Sequence, residues 1–174
     1  MTLRPYEQSD KEACLELFRS NTPKFFAPHE ETGFGSYLEN PGHYFVLENP
    51  TIIGCGGYGV SDITAYLAWG MVHHTQHGTG AGKRLLLERL NLITTHPEVK
   101  DIILDTSQHT FGFFEKLGFV TTKITEHSYS ENLHRYDMKL SLDEGSRQNL
   151  TALLLRVRAE GFANGVVNNQ EKDD

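Results

Sequence analysis

Gly70-Met-Val-His-His-Thr-Gln-His-Gly-Thr-Gly-Ala-Gly-Lys-Arg-Leu-Leu-Leu-Glu-Arg-Leu90 joins the end of a strand, a glycine-rich turn and the start of an amphipathic helix. Glycines at 78, 80 and 82 remove the Cβ atoms that would hold a ligand off the backbone. They also admit positive φ where the turn requires it. Backbone N–H groups are then free to face an anion. Leu86, Leu90 and Ile93 follow at helical spacing, which predicts a helix beginning near Gly80 whose positive dipole end adds to those donors. The stretch reads as a cradle for a pyrophosphate.

Spacing separates the nucleotide motifs that contain such a loop. A Walker A loop requires glycine five residues before its Gly-Lys pair and Ser or Thr after it, and here His77 and Arg84 stand in those places. A dinucleotide fingerprint counted from Gly78 requires glycine at 83, which is Lys83. What remains is Gln or Arg, two residues, Gly, one residue, then Gly or Ala, after a strand ending in Val. In that pattern His77-Gly78-Thr79-Gly80-Ala81-Gly82 resembles the acyl-CoA loop of the GNAT superfamily of N-acetyltransferases, with His77 in place of the usual Gln or Arg.

A second segment carries the same resemblance. Asp101-Ile-Ile-Leu-Asp-Thr-Ser107 reads as a short buried strand, and Gln108-His-Thr-Phe-Gly-Phe-Phe-Glu-Lys-Leu-Gly-Phe119 is similar to the family helix that ends Tyr-Glu-Lys-Leu-Gly-Phe. Leu3-Arg-Pro-Tyr-Glu-Gln-Ser-Asp10 resembles the family's opening strand and helix cap. The resemblance covers residues 1 to 142. It implies one α/β domain of mixed α+β order: a central, twisted, mostly antiparallel sheet with a parallel, splayed central strand pair, flanked by helices.

Composition agrees with that expectation. With 174 residues, 38% of them apolar, the chain is long enough for one domain with its own core. A formal charge of −7 and the lack of a run of basic residues argue against nucleic acid as a partner. No apolar stretch approaches the length of a membrane span and no secretory leader is visible, so a cytoplasmic protein away from the membrane is expected. Cys14 and Cys55 have no metal-ligand or redox spacing and read as small apolar residues.

The chain predicts a strand over 2–6, then a helix over 10–20 capped by Ser9, and a second short helix from Glu30 to Leu38. Strands over 43–48, 51–60 and 64–72 form an antiparallel meander. The loop and helix at 77–95, a strand at 101–106 and a helix at 108–117 add a βαβα arrangement that brings in a parallel pair. Strands over 119–126 and 136–142 close the sheet. Beyond Leu142 the character changes. Leu150, Leu153, Leu154, Val157 and Phe162 lie on one stripe of a helix over 146–162, to be buried on its own domain or in a homodimer contact. The acidic stretch 168–174 reads as disordered.

The resemblance implies attack of a primary amine on the thioester of acetyl-CoA as co-substrate. By position, Met71 and Val72 at the strand end pair with the pantetheine arm and supply an oxyanion N–H. His77, Gly78, Thr79, Gly80, Ala81 and Gly82 form the phosphate loop, with Lys83 and Arg84 offsetting phosphate charge. An amine with pKa near ~10 is mostly protonated at neutral pH, so a proton acceptor is useful. His73, His74, Glu131 and Asp105 are the candidates for it. The family's thiolate-protonating Tyr is replaced by Phe114, leaving Ser107, Tyr129 or Tyr136 as substitute donors. A thiol of pKa ~8.5 leaves tolerably without one.

His73, His74 and His77 straddle a strand end and a turn with no completing ligand, so no metal is expected. Tyr66 and Trp69 precede them on the strand, and core packing is the simpler role for Trp69. The resemblance implies that segments 22–38 and 129–134 shape the acceptor site, where Glu30, Glu31 and Glu131 would favour a cation. A non-catalytic acyl-CoA-binding or sensing protein is the alternative function.

Overall fold

In the computed structural model, which describes residues 1–170 and side-chain surroundings to residue 160, seven strands form a single sheet in the order β1-β2-β3-β4-β5-β7-β6. The strands are β1 (Thr2–Pro5), β2 (His43–Glu48), β3 (Ile52–Ser61), β4 (Thr64–Val72), β5 (Asp101–Ser107), β6 (Val120–Ser130) and β7 (Leu133–Ser141). The helices are α1 (Lys11–Asn21), α2 (Glu30–Tyr37), α3 (Ala81–Thr94), α4 (Phe111–Glu115) and α5 (Glu144–Gln170). Only β4 and β5 run parallel, and every other neighbouring pair is antiparallel. This is the mixed α/β architecture expected from the sequence.

Period-two alternation divides the sheet into two faces. On β2, Tyr44 and Val46 pack with Cys14, Leu17 and Phe18 of α1 and Phe34 of α2, while Leu47 joins Ile53, Ala81 and Leu85 on the other side. The larger cluster on that second face holds Leu86, Leu87 and Leu90 of α3 against Ile102, Leu104 and Met138 of the sheet. Leu150 and Leu154 of α5 complete it, with Leu153 and Val157 packed against it, so the described part of the stripe is buried on its own domain, and the Phe162 side chain lies outside the described residues. An ion pair ties the two helices together: Glu88 of α3 bonds Arg84 on its own helix at 2.7 Å and accepts from Arg158 Nε of α5 at 3.0 Å.

Several boundaries differ from the expected ones. Ser9 does not cap α1. A 3-10 turn over Gln8–Asp10 intervenes, and Asp10 Oδ2 accepts the Glu7 N–H at 2.8 Å. Helix α4 is shorter than predicted at both ends: a turn over 108–110, closed by the Thr110 N–H to Ser107 O at 3.0 Å, precedes it, and Gly118, at φ 93°, ends the turn that leads into β6. Strands β6 and β7 both reach further toward the hairpin at 131–132 than the sequence indicated. Helix α5 continues into the stretch read as disordered, and residues 171–174 of that stretch lie outside the described residues.

Candidate active site

The chemistry of the fold is set where β4 and β5 part. They pair from Thr64↔Asp101 only to Tyr66↔Ile103, and beyond that both strands continue without touching. A bulge in β4 accompanies the separation: Cys55 faces Met71 and Gly57 faces Ala68, so Trp69 is an extra residue, at φ 43°. An inserted residue bends its strand and strengthens its twist, directing the end of β4 away from β5. It also changes the faces. Tyr66 and Trp69 would lie on opposite sides of a regular strand. Here both lie on the α1/α2 side, where Trp69 packs on Phe34 at 5.0 Å between ring centroids.

The wedge leaves backbone groups of β4 unpaired. The His73 N–H donates to Ile53 O at 2.9 Å, so residues in phase with it face β3. Met71 is in that phase, and its peptide groups point away from the wedge; its side chain is buried against α1. Val72 is out of phase, and its carbonyl accepts from the buried Asn21 Nδ2 of α1 at 2.8 Å. Val72 N–H and Gly70 are therefore the β4 groups directed at the gap. Alternation in the sequence could not show which of Met71 and Val72 this would be.

At the wide end of the wedge, His74–Gln76 form a 3-10 turn and the chain enters α3 through Gly78 at φ 79° and Gly80 at φ 92°. A Cβ at either glycine would meet no atom within 4 Å, so both are required by backbone conformation and leave open space in front of the loop. The N–H groups of Gly78, Gly80, Gly82 and Lys83 donate to no protein acceptor among the described residues. Thr79 Oγ1 accepts the Ala81 N–H at 3.4 Å and donates to Gln76 O at 2.8 Å. These free donors, ahead of the first turn of α3, make an anion site. Arg84 is turned from it to Glu88.

The segment after α1 crosses the mouth of the wedge. The Phe25 ring stands 5.0 Å from His77 of the glycine loop and 6.1 Å from His109 of the β5–α4 turn, in edge contact with both. On one side of this strap is an opening of about 330 Å³ lined by Ser20, Asn21, Thr22, His74 and His77. On the other is one of about 390 Å³ lined by His109, Ser130, Glu131, Asn132 and Leu133.

Beyond the strap four elements contribute a polar cluster. Tyr129 of β6 donates to Asp105 Oδ2 of β5, and Arg135 of β7 lies 3.6 Å from Asp105 Oδ1. Glu30, at the start of α2, accepts the Ala27 N–H at 2.7 Å. Burial raises the Glu30 carboxyl above its usual range, with Asp105 adding in the same direction. Burial, then the Asp105 hydrogen bond, pushes the Tyr129 hydroxyl up, so it keeps its proton.

A parted parallel pair, a bulged β4 and a glycine loop opening α3 form one constellation, and residues 12–142 match the family model described as the acetyltransferase (GNAT) domain. The chain belongs to the GNAT acetyltransferase family.

Solved structures with the same fold include Ard1 from Thermoplasma volcanium, with TM-score 0.68 and 19% identity over 82% of this chain and 98% of that one. The ribosomal-protein-S18-alanine N-acetyltransferase from Escherichia coli aligns with TM-score 0.68 and 19% identity over 82% of this chain and 94% of its own. Rv2747 from Mycobacterium tuberculosis, solved in complex with CoA, aligns with TM-score 0.63 and 19% identity over 82% of this chain and 100% of its own. No curated protein matches the chain in sequence.

Within this GNAT domain the other anticipated site residues separate. His73 Nδ1 lies 2.8 Å from Thr75 Oγ1 and accepts the Thr75 N–H, which fixes its ring at the strand end. Burial, then His74, lowers its pKa, so the ring is neutral at physiological pH. Ser107 is buried, and its Oγ accepts the His109 N–H at 3.3 Å, serving the turn into α4. Tyr136 stacks on Phe111 at 4.6 Å. Phe114 packs edge-on against Phe119 at 5.8 Å. Glu131 is exposed at the hairpin, lining the opening beside His109. From the sequence Glu30 is an attractive charge and not a partner of Asp105. Nothing local marks it, because the charge of Asp105 acts on Glu30 only through the packing of α2 on the sheet.

Proposed function

We propose that the chain transfers an acetyl group from acetyl-CoA to a primary amine. The observation that carries this reading is the wedge between β4 and β5 with a ring of free N–H donors at its wide end. Acetyl-CoA, when bound, supplies an electrophilic thioester carbon. The donors of Gly78, Gly80, Gly82 and Lys83 hold the pyrophosphate, and Thr79, Ala81 and His77 complete that loop. Val72 N–H and Gly70 N–H line the gap, where one of them meets negative charge developing on the thioester oxygen.

The acceptor enters beside the strap, toward Glu30, Asp105 and Tyr129. An ammonium ion is drawn to these carboxylates and must shed a proton before attack. Glu30 is the acceptor for it, since its raised pKa brings it closer to the amine's own. His73, neutral and at the strand end, serves the same purpose only through water, as does the exposed Glu131. As the new C–N bond forms the C–S bond breaks, and the thiolate takes a proton from solvent in place of the hydroxyl that Phe114 lacks. Ser107 is occupied in its turn.

Phe114 and the engaged Ser107 favour a second reading, acyl-CoA binding without turnover. Incubation with acetyl-CoA and a panel of amines, reading thiol release from pH 6 to 9 against the hydrolysis background, separates the two. Amine-dependent release is expected. Tight binding of acetyl-CoA with no release above background would establish the second reading.

A further inference from the structure

Arg89 is a cation in the apolar stripe of α3, and it is only 4% exposed. Its neighbours on that stripe are Leu85, Leu86, Leu90 and Ile93. The guanidinium lies against the β3–β4 boundary, where the sequence has placed glycine on both strands. A Cβ at Gly70 would stand 2.4 Å from Arg89 Nη2, and a Cβ at Gly56 would stand 2.8 Å from Nη1. A side chain at either position would require the guanidinium to shift from its place.

The hydrogen bonds of this group are poor. Nη1 reaches Gly57 O at 3.3 Å and Nε reaches Leu85 O at 3.4 Å. Among the described residues the ionisable groups around it are Tyr44, Cys55 and Tyr37, none of them a carboxylate, and burial lowers its pKa to about 10. At neutral pH it is therefore a buried, charged guanidinium without an anion. Such a charge is costly unless something pairs with it.

Nη2 shows what that something is. It makes no hydrogen bond to protein, yet the only unpartnered side-chain nitrogen or oxygen sealed from solvent among the described residues is Thr121 Oγ1. Nη2 is thus not completely sealed, in a residue that as a whole is 4% exposed. It lies over Gly70, an exposed residue of β4, past the point where β5 stops pairing. Within the wedge this position is fixed relative to a donor molecule. The phosphate loop lies beyond Val72 at the wide end, so a donor running along β4 places its acyl group toward the closed end at Tyr66, alongside Gly70. Strand spacing leaves roughly 10 Å between Gly70 and that closed end.

We infer that Arg89 equips the wedge to take, besides acetyl-CoA, a donor whose acyl group ends in a carboxylate, a CoA monothioester of a short dicarboxylic acid, and to favour it over the methyl-ended donor of the same length. This rests on the acyl-CoA reading and names the acyl class. A methyl terminus leaves Nη2 facing hydrocarbon, whereas a carboxylate supplies the missing partner.

Calorimetry with free CoA and with two matched donor pairs, malonyl- against propionyl-CoA and succinyl- against butyryl-CoA, tests it on the intact chain. The wild type should bind the carboxylated member of a pair ~10-fold or more tightly, as expected for a charged hydrogen bond made in place of a methyl contact. Arg89→Met should lose that preference while keeping its affinity for free CoA, and Arg89→Lys should retain its direction. The wild-type comparison needs no variant, so misfolding of Arg89→Met leaves the test intact. Equal affinities within both pairs, with free CoA bound, would overturn the inference and spare the acyl-CoA reading. A preference that survives in a folded Arg89→Met would also overturn it. A uniform fall in turnover with every donor, at unchanged preference, would do the same by assigning the guanidinium to charge developing at the thioester. Failure to bind free CoA would remove both readings.

Discussion

Gly80→Asp is the sharpest perturbation of the phosphate loop, because its cost separates into parts that can be measured one at a time. Gly80 sits at φ 92°, and a Cβ added there would meet no atom within 4 Å, so the folded chain has room for a side chain. Without ligand the penalty is backbone strain, about 1–2 kcal/mol for an L residue in the left-handed region. In a domain of this size that lowers Tm by roughly 2–8 °C. With ligand a carboxylate is added in front of the donors. Two unit charges 4 Å apart repel by ~1 kcal/mol in water and ~4 kcal/mol at the weaker screening near a protein surface.

Against the roughly two charges of a pyrophosphate the loss falls between about 2 and 8 kcal/mol, or from ~30-fold to ~700,000-fold in Kd. Calorimetry of CoA binding to wild type, Gly80→Ala and Gly80→Asp gives the total and the steric share. Repeating it from 0.1 M to 1 M salt, where the screening length falls from ~10 Å to ~3 Å, should shrink the difference between Asp and Ala but leave the Ala penalty in place. A Gly80→Asp protein with lowered Tm and unchanged Kd would refute the anion site. A difference between Asp and Ala that ignores salt would refute its electrostatic basis.

Three further outcomes follow from other parts of the molecule. Phe25→Ala removes the ring that bridges His77 and His109, so stopped-flow association of CoA should quicken; an unchanged association rate would show that the strap is not in the path. Glu30→Gln should flatten the acidic limb of log(kcat/KM). Because the Glu30 carboxyl is raised on folding, its ionisation opposes the folded state, so the variant should gain stability on wild type as pH climbs past ~4.3 and match it in stronger acid. Urea melts across that range would detect the opposite sign. Glu88→Ala leaves Arg84, with a side chain 12% exposed, without its partner, whereas Arg158 is 42% exposed and can turn to water. A loss of ~2–4 kcal/mol is expected for Glu88→Ala, against ~1 kcal/mol for Arg158→Ala. For Glu88 burial alone would raise the pKa, but its two ion pairs outweigh that and lower it. Its contribution should persist at neutral pH and vanish as acid protonates it below the ordinary carboxylate range.

The parts of the site that are legible in the sequence are those whose chemistry is local. Gly78 and Gly80 announce a turn because no other residue adopts positive φ so readily, and the leucines after them announce a helix by their spacing. The meander and the crossover to β5 are readable for the same reason, each strand being bounded by turn residues. Trp69 shows where that legibility ends. Nothing in Ala-Trp-Gly says that one residue is extra, because a bulge is a relation between β4 and β3. Met71 and Val72 cannot be told apart until the phase of the strand is known. Arg89 carries no local mark that separates it from the other charges of an amphipathic helix; only the glycines of two neighbouring strands reveal where its head lies.

The sequence by itself determined the family, the order of strands and helices and the position of the anion loop, since turn chemistry and hydrophobic period act over a few residues. Tertiary structure alone decided where the β4–β5 wedge begins, that α5 is clasped to α3 through Glu88, and that the bonded pair of Asp105 and Tyr129 lies within electrostatic reach of Glu30. It also decided that the Arg89 guanidinium is buried against Gly56 and Gly70 with no carboxylate beside it among the described residues. These depend on groups far apart in the chain, and their energies come from burial and charge in a shared environment that exists only once the sheet and its helices have closed around it.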